Sequence, residues 1–224
     1  FGWEAPKFAH LPLLLRPDGN GKLSKRDGDR LGFPVFPTDW LSADGEKYTG
    51  YRESGYFPEA FVNMLAFLGW NPGTTQELFT IEELAEIFTL ERVGKAGAKF
   101  DADKTKWFQQ QYLRNTSDEV LADMLSQELN NKYDKEALAE IAKLMKERAT
   151  FVKDILTEGD YLLHRPATYD EQTVSKKWKG DDSAELMKEW NDRLKSLTDF
   201  TPHAIEVSFK SFLEAKQLGI GAVL

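Results

Sequence analysis

Cysteine is absent from this chain of 224 residues, which removes disulfides and thiolate metal sites together. Histidine is nearly absent as well. His10, His164 and His203 are scattered, and they cannot make a zinc site between them without carboxylate help, so no metal is expected to be held by this chain. No stretch approaches the ~20 uninterrupted apolar residues of a membrane span. The opening residues Phe1-Gly2-Trp3-Glu4-Ala5-Pro6 carry neither the charged nor the apolar region of a secretory signal. A surplus of positive charge is missing too. The formal net charge is −8, from 29 Lys and Arg against 37 Asp and Glu, which speaks against a general nucleic-acid glue while leaving room for a local basic patch. No Ser/His/Asp or Lys/Glu spacing announces a complete catalytic constellation either.

What is present is core material and one concentrated stretch of chemistry. A hydrophobic fraction of 41%, with 12% aromatic, supports one large or two to three small packed units. Between Gly21 and Gly28 the run Lys22-Leu23-Ser24-Lys25-Arg26 sets three cations and a hydroxyl within five residues. That composition suits phosphate, because lysine brings a compact movable ammonium, arginine a fixed fork of donors, and glycine an N–H that can approach an anion closely. A solvated basic turn would read the same way. The Gly-x-x-x-x-Gly-Lys-Ser/Thr phosphate loop is not what is written here.

Along the rest of the chain the periodicity is that of helices. The segment from Asp27 to Ser54, rich in glycine, proline and aromatics, reads as loop with one short hairpin at Ala43-Asp44-Gly45. Pro58, the apolar Phe61, Leu65 and Leu68, and Gly69 describe a punctuated amphipathic helix. Thr80 with Glu83 forms a capping box before the stripe Ile81, Leu84, Ile87 and Phe88. Asp101 or Asp103 caps the next helix, on which Trp107 and Tyr112 fit either a core face or base-stacking platforms. Thr116 with Glu119 predicts another capping box, followed by Val120, Leu121, Met124 and Leu125; Asp134 opens a helix with Leu138, Ile141, Leu144 and Met145. Further helices start near Ser183, with Leu186, Trp190, Leu194 and Leu197, and at Thr201-Pro202, with Ile205, Phe209, Phe212 and Leu213. A second basic run, Arg92, Lys95, Lys99, Lys104 and Lys106, is opposed locally only by Asp101 and Asp103; it fits a phosphate-contacting face or a merely solvated one. Near the start, Trp3, Phe8 and Leu11 to Leu15 resemble a buried strand and turn without a partner, which suggests an artificial start at Phe1.

The wording around Lys22 is similar to the second signature of class I aminoacyl-tRNA synthetases in its glutamyl form, Lys-Leu-Ser-Lys-Arg. Gly55-Tyr56-Phe57-Pro58-Glu59-Ala60, Asn63-Met64-Leu65, Leu68-Gly69-Trp70, Phe79-Thr80, Glu91-Arg92-Val93 and Phe100-Asp101, with Lys104, Trp107 and Tyr112, resemble that family in the same order. The resemblance departs at Asp27–Ser54, longer than the usual link, and at Gln109, near which the family has asparagine. It implies a mainly α fold: helical bundles preceded by the end of a Rossmann-type catalytic domain. Residues 1–54 would be that end, with signature and insertion; 55–115 a stem-contact helical region; 116–165 and 166–224 the two parts of an anticodon-binding bundle, the second truncated. It further implies a glutamate-tRNA ligase using ATP with Mg2+, glutamate and tRNA(Glu), cytoplasmic, monomeric and without a membrane partner, with this portion inactive alone. ATP would meet Lys22, Leu23, Ser24, Lys25 and Arg26, with Lys25 at the α-phosphate on a mobile loop. The tRNA would meet Arg92, Lys95, Lys99, Lys104 and Lys106, and Arg148 would read the last anticodon base. Arg148 also suits a helix C-terminus, where a cation complements the dipole. A helical interaction module with an incidental basic turn is the reading from another class.

Overall fold

A computed structural model describes residues 2–222 and divides the chain into two compact units, one through His164 and one from Arg165. The first unit contains helices α1 (Lys25–Leu31), α2 (Pro58–Phe67), α3 (Ile81–Ile87), α4 (Ala102–Asn115), α5 (Asp118–Glu128), α6 (Lys135–Met145), α7 (Val152–Glu158) and α8 (Asp160–Leu163). The second contains α9 (Glu171–Lys177), α10 (Asp181–Lys195) and α11 (Pro202–Lys216). Among the described residues, four two-residue strands make two ladders. β1 (Leu14–Leu15) runs parallel to β4 (Ala98–Lys99), and β2 (Trp40–Leu41) pairs antiparallel with β3 (Lys47–Tyr48). The architecture is mainly α, as the periodicity predicts.

Local chemistry explains most helix starts. Thr80 accepts from Glu83 N while Glu83 takes the Thr80 N–H, the predicted reciprocal box. Asp101 accepts from both Asp103 and Lys104, Asp134 from Ala137, and Thr201 from Ala204. Pro58 occupies the first turn of α2. The start of α5 differs from the expectation. Ser117, not Thr116, caps it, accepting from Val120 N, while the Thr116 hydroxyl donates back to Tyr112 O at the end of α4.

Among the described residues of the first unit, three cores form. The bundle core is aliphatic: Leu113, Leu121, Leu125, Leu138 and Ile155 have no exposed surface, with α5 packed on α6. The second is aromatic, built from Phe33, Tyr51, Tyr56, Phe100 and Phe108 with Met64. Trp70, Phe79 and Leu84 make a smaller third. Two buried amides tie α2 to its surroundings. Asn63 donates to Glu77 O and accepts from Phe79 N, and Gln109 on α4 accepts the N–H of Phe57, the residue that caps α2.

Some stripe positions lie outside these cores. Ile81, Ile87, Phe88, Val120 and Leu144 are exposed, since only one edge of each apolar stripe meets a neighbouring element. Phe88 stacks on Trp70 at the rim of an apolar recess that Leu11, Leu14 and Leu65 also line. The apolar run before Arg16 is not the buried strand it resembles: only Leu14 and Leu15 find a strand partner in β4, and Phe8, Leu11 and Leu13 are exposed. In the second unit α10 meets α11 through Trp190, whose ring lies 4.9 Å from that of Phe209 and 5.4 Å from that of Phe212. Arg193 there donates to the Ser208 and Ser211 hydroxyls, both at 3.0 Å.

Candidate functional site

The signature stretch is built by pairing at its front and by a cap at its back. Leu15 stands opposite Lys22 in an antiparallel bridge, supported by Leu23 N donating to Leu14 O at 2.8 Å. On its other side Leu15 pairs with Lys99 of β4. One residue of β1 thus lies between the two basic stretches, nearly eighty positions apart in the chain, with Lys22 on one side and Lys99 on the other. Directly paired residues present their side chains to the same face, so Lys22 and Lys99 share one.

Behind the bridge, Ser24 opens α1. Its N–H and hydroxyl both donate to Asp27 Oδ2, at 2.9 and 2.6 Å. Asp27 is buried and also receives Arg30 at 2.9 Å, with Arg16 at 3.6 Å. The Ser24 hydroxyl, then the Ser24 N–H, then Arg30 and Arg16 hold the Asp27 carboxyl at about 2 against an ordinary 3.8, although burial works the other way. The signature is therefore a bridged turn feeding a capped helix, and the helix continues to Leu31 inside the stretch read as loop. The predicted hairpin is present: Ser42 N bonds to Glu46 O, and Gly45 takes the left-handed conformation at φ 85°.

Lys22, Lys25 and Arg26 are exposed and Leu23 is half-buried against the aromatic core. Lys25 Nζ lies 5.3 Å from the Phe36 ring centroid and 4.9 Å from that of Trp40. This contact was not visible in the sequence, because it joins residues across a turn of unpredicted course. Asp27 could have been found, since Ser24-x-x-Asp27 is the spacing of a capping box.

The second basic run divides. Lys95, Lys99 and Lys106 are exposed. Lys104 is half-buried, with its ammonium 2.5 Å from Glu77 Oε1 and 3.8 Å from the Trp107 centroid. Arg92 donates to Pro72 O, and its guanidinium fills the space a side chain at Gly73 would need. Trp107 packs against the aromatic core, and the Tyr112 hydroxyl lies 2.6 Å from Phe79 O, so both serve packing.

Arg148 lies in the turn after α6, exposed, its N–H bonded to Met145 O at 3.0 Å. The residues before it are pinned. Lys146 reaches Asp118 at 2.6 Å and Thr116 O at 3.3 Å, while Arg114 holds Glu147 through its side chain at 3.2 Å and its carbonyl at 2.6 Å. A fixed turn thus presents Arg148 outward. At the end of the same unit Tyr133 Oη, His164 and Asp160 form a chain of contacts at 2.7 and 2.8 Å, which the i, i+4 spacing of Asp160 and His164 could have signalled. Among the described residues no group of three or more His, Cys, Asp or Glu could hold a metal ion, and no helix is long and apolar enough to cross a membrane.

Comparison with known proteins finds two family matches along the chain. Residues 1–107 match the catalytic domain of class I tRNA synthetases (E and Q), and residues 110–224 match an anticodon binding domain. The chain belongs to the glutamyl-tRNA synthetase family. Over its whole length it is 49% identical to a glutamate–tRNA ligase of Christiangramia forsetii and 52% identical to one of Flavobacterium johnsoniae, in each case covering 45% of the relative. A crystal structure of a glutamate tRNA ligase from Elizabethkingia meningosepticum, in complex with its amino acid, superposes with a TM-score of 0.89 at 46% identity, over 99% of this chain and 45% of that one. The chain thus spans about half the length of these synthetases. The two family matches meet inside α4, so a single helix carries the end of the catalytic match and the start of the anticodon-binding one. The alternative of an unrelated helical interaction module is not favoured by these matches.

Proposed function

We propose that the protein carrying this chain is an ATP-dependent glutamate-tRNA ligase, cytoplasmic and monomeric, which activates glutamate as an adenylate and transfers it to the 3′ end of tRNA(Glu). The chain contributes the signature segment and surfaces for the tRNA stem and anticodon, and it is inactive without the remainder of the enzyme. The observation that carries this reading is the ladder in which Leu15 joins Lys22 to Lys99. It sets the signature beside the second basic run, as an enzyme holding a triphosphate and a polyanionic acceptor at neighbouring places requires.

Exposed Lys22, Lys25 and Arg26 on one braced segment suit the charge of ATP, which would bring Mg2+ with it. Lys25 meets the α-phosphate, with Lys22 and Arg26 assisting and Leu23 and Ser24 fixing the segment. Adenylate formation gathers negative charge on that phosphate, so an ammonium that arrives as the charge develops lowers the barrier more than one bound equally throughout. Lys95, Lys99 and Lys106 contact tRNA phosphates and orient the stem without reading bases. Arg92 and Lys104 shape that surface through Pro72 and Glu77. Arg148, held outward by its pinned turn, reads the last anticodon base: a planar guanidinium can bond the acceptor edge of a cytosine and stack on a splayed base.

The test is aminoacylation by the full-length protein with Lys25→Ala. A fall of about a hundredfold or more in kcat is expected for a lost transition-state charge contact; a rate near wild type removes the assignment. tRNA binding should also weaken as salt rises, by about 0.7 to 0.9 log units per log unit of salt for each phosphate contacted. Affinity that stays flat between low and moderate salt would remove the phosphate-contact role.

A further inference from the structure

The aromatic contact on Lys25 is made by the stretch that departs from the family pattern. Phe36 and Trp40 stack at 4.9 Å with 26° between their planes, and Tyr48 leans on both at 5.6 Å. The platform is braced from behind. Phe36 O accepts from Tyr51 N at 2.9 Å and Pro37 O from Arg52 N at 3.1 Å. Asp39 accepts from Gly50 N at 2.9 Å, pairs with Lys47 at 3.0 Å, and donates its own N–H to Glu53 at 2.7 Å. The Gly50 N–H, then Lys47, hold the Asp39 carboxyl below its ordinary range, so the brace stays charged. The seam is tight enough that a Cβ on Gly50 would come within 2.1 Å of a Thr38 backbone carbon.

Lys25, by contrast, is the first residue of α1, on a side chain with four rotatable bonds, exposed to water. A rigid aromatic surface and a flexible cation meet here, and the ring quadrupole attracts the ammonium at both distances. We propose that Phe36 and Trp40 are positioning residues for Lys25: they hold its ammonium in a resting place, and phosphate engagement competes with that contact. The proposal rests on the reading of Lys25 as the phosphate-contacting lysine. Its physical content is a partition. With Trp40 40% exposed, each ring favours the held state by about two- to fivefold, the range of an exposed cation–π contact. A binding-competent state populated only in part weakens apparent engagement by the same fraction. A phosphate, offering full charge and hydrogen bonds, still displaces the rings, so they act as a shallow holding site rather than a block. They keep the lysine from wandering or pairing elsewhere between turnovers.

The experiment uses the full-length protein and the variants Trp40→Leu, Trp40→Phe and Phe36→Leu. Without ATP, acetylation of Lys25 by an N-hydroxysuccinimide ester is followed by peptide mass spectrometry, with Lys22 in the same digest as the internal reference. The ratio of Lys25 to Lys22 reactivity should rise about two- to fivefold in Trp40→Leu and Phe36→Leu and return toward wild type in Trp40→Phe, which keeps a ring. In aminoacylation at varied ATP, kcat/KM for ATP should rise by the same factor in the leucine variants. An unchanged reactivity ratio in both leucine variants overturns the proposal, and so does a rise in Trp40→Phe equal to that in Trp40→Leu. Should Trp40→Leu fail to fold, Phe36→Leu decides by the same criteria. The two readings fail separately: a Lys25→Ala enzyme that charges tRNA at the wild-type rate removes the phosphate role, whereas the reactivity ratio without ATP reports only on the rings.

Discussion

The two larger cores of the first unit are built on opposite plans. The bundle of α5, α6 and α7 buries leucine and isoleucine spaced three and four apart, each helix opened by its own neighbouring residues: Ser117 for α5, Asp134 for α6 and the Asp154 carboxylate for α7. The aromatic core gathers Phe33, Tyr51, Tyr56, Phe100 and Phe108 from the turn after α1, one loop, the approach to α2, the end of β4 and α4. Its closure depends on long-range bonds such as Gln109 to Phe57 and Asp39 to Gly50. The bundle is a product of local periodicity, the aromatic region of distant agreement. The signature lies on the second kind of support, Arg148 on the first. If Lys25 contacts phosphate and Arg148 reads a base, as proposed, the lysine has a platform of aromatic surface beside it and the arginine a stiff, self-sufficient bundle beneath it.

The largest effect should come from the bundle. Leu138 has no exposed surface, so Leu138→Ala should cost about 2–5 kcal/mol in urea unfolding, transfer and cavity terms together. Leu144, on the same helix and 62% exposed, should change stability by no more than about 0.5 kcal/mol as Leu144→Ala. Equal costs at the two positions would mean that the stripe, not its buried edge, carries the packing.

Next comes the aromatic region. Gly50→Ala forces a Cβ into the Thr38 backbone and should cost about 1–3 kcal/mol, with a shift in tryptophan emission as the Trp40 platform moves. A neutral result would show that this seam yields, and that the platform is less rigid than its bonds suggest.

The third effect is present at neutral pH and vanishes in acid. Because the Asp27 carboxyl is held at about 2 in the folded chain against 3.8, its contribution is fully present above 3.8 and is lost as pH falls through about 2. Wild type should therefore exceed Asp27→Asn in unfolding midpoint at neutral pH, with the gap closing only below 3.8. A gap that persists at pH 2 would assign the difference to shape rather than charge.

The smallest stability effect belongs to Arg148. Arg148→Gln should shift stability by no more than about 0.5 kcal/mol, because the pinning pairs use Lys146 and Glu147 and leave Arg148 exposed. Preference for the last anticodon base should relax in aminoacylation of tRNAs altered at that position. Early unfolding with unchanged preference would make Arg148 a capping residue.

These contrasts also mark what could be read from the chain. The capping box at Thr80, the caps at Asp101, Asp134 and Thr201, and the apolar stripes of α5 and α6 were legible, because a cap and a 3.6-residue period act within one or two turns of the backbone. The cap of α5 was misplaced by one residue because Thr116 and Ser117 are chemically equivalent until the end of α4 claims the Thr116 hydroxyl. Which edge of a stripe would be covered was not legible either, since Val120 and Leu144 keep the period yet face outward.

The sequence by itself determined helices α2 to α6, α10 and α11, the Lys22–Arg26 signature and the supply of cations in Arg92–Lys106, since each is a local arrangement of residue types. Tertiary structure alone decided that Leu15 would join Lys22 to Lys99, that Lys104 would turn to Glu77 while Lys106 stayed exposed, and that Lys25 would lie over Phe36 and Trp40. Strand pairing, ion pairing and ring contact are made between residues whose separation along the chain says nothing of their separation in space. Only the folded backbone, closing one segment against another, chooses among the partners that composition makes available.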